Sequence, residues 1–203
     1  MKHDTREAWL LEATTILRDG LFKRHGHAVP TVKVSVGFPG GGSARKRIVE
    51  HWHPNATTDK VGQVFINPTI EDAGRALDVL THELVHAVVP DAGHKKPFKR
   101  IAVAIGLEGK MTATHAGEKL AAKLKKLSDQ LGPYPHGAIN LGMRKKQTTR
   151  LIKVECPCGY TARVTRKWIE ALGAPLCPCE YKGPGKYEPM IIHHDEDEES
   201  ESE

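Results

Sequence analysis

Two histidines four residues apart, His82 and His86, lie in a stretch whose pattern leaves little room for anything but a helix. Leu77, Leu80, Leu84 and Val88 recur at intervals of three and four, the spacing of a buried helical stripe. From Glu71 to Val89 there is one glycine, Gly74, and no proline before Pro90. On a helix, residues i and i+4 stand one turn apart on the same face. The two imidazoles are therefore side by side, within reach of a single divalent ion. Glu83 points beside such an ion rather than at it, where it can take a proton from a metal-bound water. The pattern is H-E-x-x-H, an arrangement chiefly used in peptide hydrolysis. With 12 histidines in the chain, two of them on an ordinary solvated helix is the plain alternative.

His94 narrows that choice. Val89-Pro90-Asp91-Ala92-Gly93 contains proline and glycine, so the chain turns after the helix. A third imidazole just past a turn can fold back on the ion. Three protein ligands and a water describe a catalytic zinc; four would describe a closed structural one. His82, His86 and His94 are the candidate ligands, and Glu83 is the candidate general base.

Thr81-His82-Glu83-Leu84-Val85-His86-Ala87, Gly93-His94 and Pro97-Phe98-Lys99 together resemble the SprT-like metalloprotease family, over about residues 5–182. That family pairs H-E-x-x-H with a later histidine and often carries a C-terminal zinc ribbon. Lys95 stands where the family usually has glycine, and His94 follows His86 at a short interval. The resemblance implies a zincin-like fold and a zinc-dependent endopeptidase. It also implies a substrate class, because the family includes Spartan-type enzymes that degrade proteins bound or crosslinked to DNA.

The fold class expected is α+β. Asp4-Thr5-Arg6-Glu7 reads as a capping box opening a helix, with Trp9, Leu10, Ala13, Ile16, Leu17 and Leu21 on its apolar side and Gly26 at its end. Thr31–Phe38 alternates as a half-buried strand, and 45–53 and 61–66 are two more strand candidates. Short connections favour hairpins, so helices packed on a small, mainly antiparallel three-stranded sheet are expected. Pro39-Gly40-Gly41-Gly42-Ser43 is a loop, since no Gly-Lys-Ser/Thr follows it to cradle phosphate. His51 and His53 share one face of their strand, which invites a metal reading beside the plainer ones of ordinary edge-strand side chains or a cleft wall. Residues 95–106 and 117–131 are helical. Met111 reads as core and His115 as a surface or capping group.

The organisation expected is a metalloprotease domain over 4–137, a basic linker over 138–150, a zinc-ribbon-like β module over 151–182 and a disordered acidic tail over 183–203. Cys156, Cys158, Cys177 and Cys179 would close a second, structural zinc site, with metal supplying folding energy to a module too small for a sizeable core. Both pairs are C-x-C rather than the C-x-x-C of ribbon knuckles. The alternative is a degenerate ribbon that folds by packing Trp168, Ile169 and Leu172.

Charge points to partners. The net +5 hides an asymmetry: residues 195–203 carry seven of the 25 acids and no base, leaving a body of net +12. Such an excess suits nucleic acid, although basic surfaces often bind nothing specific. Arg144, Lys145, Lys146 and Arg150 in the linker, with Arg163, Arg166 and Lys167 in the module, are the candidate phosphate contacts. The acidic tail is a solubilising segment or a competitor for those cations. No apolar run approaches the ~20 residues that span a bilayer. The N-terminal residues lack an apolar signal core, so a cytoplasmic, membrane-free monomer is expected. Without a secretory signal the cysteines favour metal over disulfides. A nucleic-acid-associated zinc protein with weak or no peptidase activity is the competing function. Glu83 argues against it, because a purely structural metal helix needs no carboxylate there.

Overall fold

The helix that carries the H-E-x-x-H pattern forms where the apolar stripe places it. In a computed structural model, which describes residues 2–40, 48–143, 151–177 and 188–193, it spans Ala73–Val88 and is numbered α2 below. Asp72 caps it by accepting a hydrogen bond from the Arg75 amide at 2.6 Å. Leu77, Leu80 and Leu84 are fully buried, so one whole face of α2 is core. The described residues form two compact units, Met1–Met143 and Arg144–Glu203. The mixed α+β character expected from the sequence is present in both.

In the first unit α1 (Arg6–Ile16) continues through a π-helical turn, Leu17–Phe22, and a 3-10 turn, Lys23–His25, to Gly26 at φ +76°. Thr5 is its N-cap and accepts from the Ala8 amide. Glu7 does not reach back to close a capping box; its carboxylate accepts from the Val36 amide at 3.0 Å and ties α1 to β1. Three strands, β1 (Val32–Val36), β2 (Val49–Trp52) and β3 (Gly62–Ile66), make one sheet in the order β1-β3-β2. β2 pairs with β3 antiparallel, but β1 pairs with β3 in parallel. The mainly antiparallel sheet expected from short connections is thus corrected to a mixed one. The connection from β1 to β2 is not a tight turn, so it does not force the two together. β3, with Val64 and Ile66 fully buried, takes the centre. This leaves β2 at an edge.

After α2 come α3 (Lys96–Ile105), a hairpin of β4 (Leu107–Lys110) and β5 (Ala113–Ala116), and α4 (Glu118–Leu131). Leu120, Leu124, Leu127 and Leu131 bury the inner stripe of α4. The unit is closed by Arg6. Its guanidinium donates to the carbonyls of Pro135, Pro68, His136 and Gly137 at 2.8–3.2 Å and stacks over the Tyr134 ring. The chain past 137 still belongs to this unit: the Ile139 amide donates to the Pro68 carbonyl and the Ala138 amide to Glu71. The expected linker over 138–150 therefore loses its first residues to the fold, and residues 144–150 lie outside the described set.

The second unit is a three-stranded antiparallel sheet in the order β7-β6-β8, with one short helix. Its elements are β6 (Leu151–Glu155), β7 (Thr161–Thr165), α5 (Arg166–Leu172) and β8 (Ile191–His193). β8 falls inside the stretch assigned by composition to the acidic tail. Met190 is the reason: it is buried with Val154, Cys156 and Cys177, and its amide donates to the Pro175 carbonyl. Trp168 and Leu172, offered as alternative core residues, are 52% and 79% exposed, and of that trio only Ile169 packs on the small core. Among the described residues no helix is long and apolar enough to cross a membrane.

Candidate metal centre

α2 supplies His82 and His86 from one face, a turn apart, with Glu83 beside them. The third histidine arrives by the route expected. The Ala92 amide donates to the Val89 carbonyl, the Lys95 amide to the Ala92 carbonyl, and Gly93 takes φ +51°, so the chain doubles back. Pro97 opens α3 at a position where a missing amide costs nothing. Phe98, one turn past His94, is fully buried. Its ring centroid lies 4.9, 4.5 and 5.0 Å from those of His82, His86 and His94, so one phenyl ring is the floor under all three imidazoles.

The donor atoms converge. Nε2 of His94 is 3.1 Å from Nε2 of His86 and 3.3 Å from Nε2 of His82. A tetrahedral zinc with bonds of about 2.0–2.1 Å needs nitrogens about 3.4 Å apart. The observed spacing fits one ion bound by three nitrogens. Exposure is graded from buried His82 through half-buried His86 to exposed His94. The site therefore opens to solvent on the His94 side, as a fourth, exchangeable position requires. Glu83 is buried, with Oε1 3.8 Å from His82 Nε2, on the side where the ring nitrogens meet rather than turned into the core.

Electrostatics keep the set neutral. Burial first, then His94 and Arg75, lower the His82 pKa to about 4. Burial, then His82, His94 and His51, lower that of His86 to about 3. Burial lowers His94 as well. Neutral imidazole is the form that binds a metal. Behind His82, Nδ1 lies 2.7 Å from the hydroxyl of Thr114, a buried residue of β5.

The edge strand forms a wall beside this cluster. The His51 ring is nearly parallel to that of His86, 15° between planes, at 6.3 Å. Burial, then His53, lower its pKa to about 4. A side-chain carbon at Gly62 would stand 3.0 Å from His51 Nε2, so glycine there makes room for this ring. His53 Nε2 lies 3.2 Å from Asp91 Oδ1, linking the end of β2 to the turn that delivers His94. His51 thus stands beside the cluster without joining the three converging histidines. Met111 packs against the core, and His115 is exposed.

None of the family models, curated proteins or solved structures compared with this chain matches it. What the site does is therefore read from its own geometry.

In the second unit Cys156, Cys158 and Cys177 have their sulfurs within 4.8 Å of one another. Cys156 and Cys158 are joined as a disulfide, and the Cys158 sulfur is 3.7 Å from that of Cys177. The expectation of metal ligands instead of disulfides is met in part: three sulfurs cluster, but two of them are bonded to each other. A tight turn with Gly159 at φ +88° puts the C-x-C pair on one side, where sulfurs that suit a metal also suit each other. Cys179 lies outside the described residues, as do Arg144, Lys145, Lys146 and Arg150. Arg163 on β7 and Arg166 and Lys167 at the start of α5 are exposed, with the Lys167 ammonium 5.0 Å from the Trp168 ring centre.

Three features escaped the sequence reading: the Phe98 floor, the Thr114 contact and the His51 stack. Phe98 was visible as a residue of the resemblance and of the α3 stripe. Its place under the histidines follows only from the turn geometry.

Proposed function

We propose that the chain is a zinc-dependent endopeptidase of the SprT-like type that acts on DNA-associated proteins. The observation that carries this reading is the convergence of three neutral imidazole Nε2 atoms beside a buried carboxylate. A zinc ion held by His82, His86 and His94 would polarise a peptide carbonyl and acidify water at the open position. Glu83 takes the proton of the attacking water and returns it to the leaving amine. The burial of Glu83 keeps its carboxylate close to the reacting atoms and away from competing solvent. The edge strand β2 offers a wall along which an extended peptide can lie.

The resemblance supports the substrate class, and the exposed Arg163, Arg166, Lys167, Tyr160 and Trp168 of the second unit support contact with nucleic acid through charge and stacking. The same surface also favours a second reading, a nucleic-acid-associated zinc protein with weak or no peptidase activity. One variant separates the two. Glu83→Gln keeps zinc at the histidines and lowers cleavage of a DNA-bound protein by about 10²–10⁴-fold. Zinc content by metal analysis and cleavage with and without DNA are the readouts. Undiminished cleavage in Glu83→Gln removes the mechanism, and no cleavage by wild type leaves the binding protein.

A further inference from the structure

We infer that Thr114 is a positioning residue of the histidine centre, accepting the Nδ1 proton of His82 so that Nε2 presents its lone pair to a metal. The inference rests on the reading that His82, His86 and His94 hold zinc. A neutral imidazole carries one proton, on Nδ1 or on Nε2, and only the first tautomer leaves Nε2 free to bind. His82 is buried, so its Nδ1 must find a partner within the protein. The Thr114 hydroxyl, also buried, is that partner at 2.7 Å. A hydroxyl oxygen can accept the Nδ1 proton without ionising. Metal-bound histidines generally make such an outer contact, and losing one weakens binding.

The hairpin β4–β5 buries few side chains, with Met111 and Ala116 only partly buried against the core. Leu107 on β4 and Thr114 on β5 are its only buried side chains. Its position is nonetheless closely defined. Gly106, at φ +100°, ends α3 and accepts through its carbonyl from the Gly117 amide at 2.9 Å, closing the base of the hairpin. Thr114 is paired with Gly109, which takes φ +89° and lies under the His115 ring, where a side-chain carbon would come within 3.0 Å of ring atoms. His115 therefore packs on the hairpin itself while its neighbour turns inward. This short two-stranded element delivers one hydroxyl to the back of one ligand.

The test uses the full chain and zinc, with affinity measured by chelator competition at neutral pH. Uptake at the histidine site is isolated by its loss in His86→Ala. Thr114→Val, which keeps the shape and removes the acceptor, is expected to bind zinc 10–100-fold more weakly. Thr114→Ser is expected to restore affinity to within about threefold, since it restores the oxygen. A role confined to packing would not be rescued by the smaller serine. Zinc binding in Thr114→Val equal to wild type overturns the inference, and so does a serine variant as weak as valine. Wild type gives an independent readout by NMR: with zinc bound, the His82 Nδ1 proton exchanges slowly and shows contact with the Thr114 side chain. A fast-exchanging proton without that contact also overturns it. Wild type that takes up no zinc at the histidines fails differently, because it removes the metal reading itself.

Discussion

The two clusters of side chains that could hold a metal ion are built on opposite plans. The histidines hang from the surface of a core that exists without them: α2 buries Leu77, Leu80 and Leu84 on its far side, and Phe98 fills the space beneath the rings. In the second unit two of the cysteines, Cys156 and Cys177, are part of the core. Among the described residues they form one small buried cluster with Val154 and Met190, on which Ala162, Val164, Ile169 and Ile192 pack. In the first unit the buried core does not depend on the histidines and is expected to arrange them. In the second, joining of the sulfurs, by metal or by a disulfide, is expected to add folding energy to a module with little apolar burial. A preorganised, half-open site suits turnover, and a closed sulfur cluster suits architecture.

The largest effect expected is one of asymmetry. Removing metal under reducing conditions unfolds β6, β7 and β8, whose amides then exchange as in an unfolded chain, while α1, α2 and α4 keep their protection. Hydrogen exchange followed peptide by peptide reads this directly. Equal loss in both units, or no loss in either, breaks the contrast.

A smaller effect tests whether the histidine site borrows its order from the core. Phe98→Ala empties the floor under three rings and is expected to cost about 3–5 kcal/mol, read in denaturant melts of the first unit. Phe98→Leu, which refills most of the space, should cost less than half as much and keep zinc uptake. A cost below about 1 kcal/mol for alanine would mean that the floor contributes little to the centre.

The smallest effect is a pH dependence. Burial holds His51, His82 and His86 near pKa 4, 4 and 3, against 6.5 for the ordinary side chain. Between those limits the unfolded chain binds more protons than the folded one, so stability rises with pH. Metal-free protein is expected to keep full stability above about pH 6.5 and to lose it progressively toward pH 4. Thermal melts across that range show the slope, and His86→Leu should make it shallower. A flat profile for the metal-free wild type would show that these rings are not desolvated.

Legibility in the sequence followed the range of the contacts. His82, Glu83, His86 and the turn to His94 are local, and spacing alone brings them together. The position of β1 beside β3 joins residues thirty apart through a connection that no tight turn dictates, so pairing and direction were hidden. The β4–β5 hairpin buries one side chain per strand and shows no alternation, which left Thr114 without a signal. β8 follows a stretch of proline and glycine, and composition masked the burial of Met190. The glutamate of the first helix was read as a cap because its spacing is right. It went to the Val36 amide because the first strand passes within reach.

Arg6 settles where this protein can be divided. One guanidinium grips carbonyls at 68 and at 135–137, and the Trp9 indole donates to the Gly132 carbonyl, so the beginning of the first unit is tied to its end. A fragment that stops before Gly137 gives up acceptors the fork was shaped to meet, and lysine in its place offers no fork at all. The shortest self-sufficient piece should therefore start ahead of Arg6 and run to Met143.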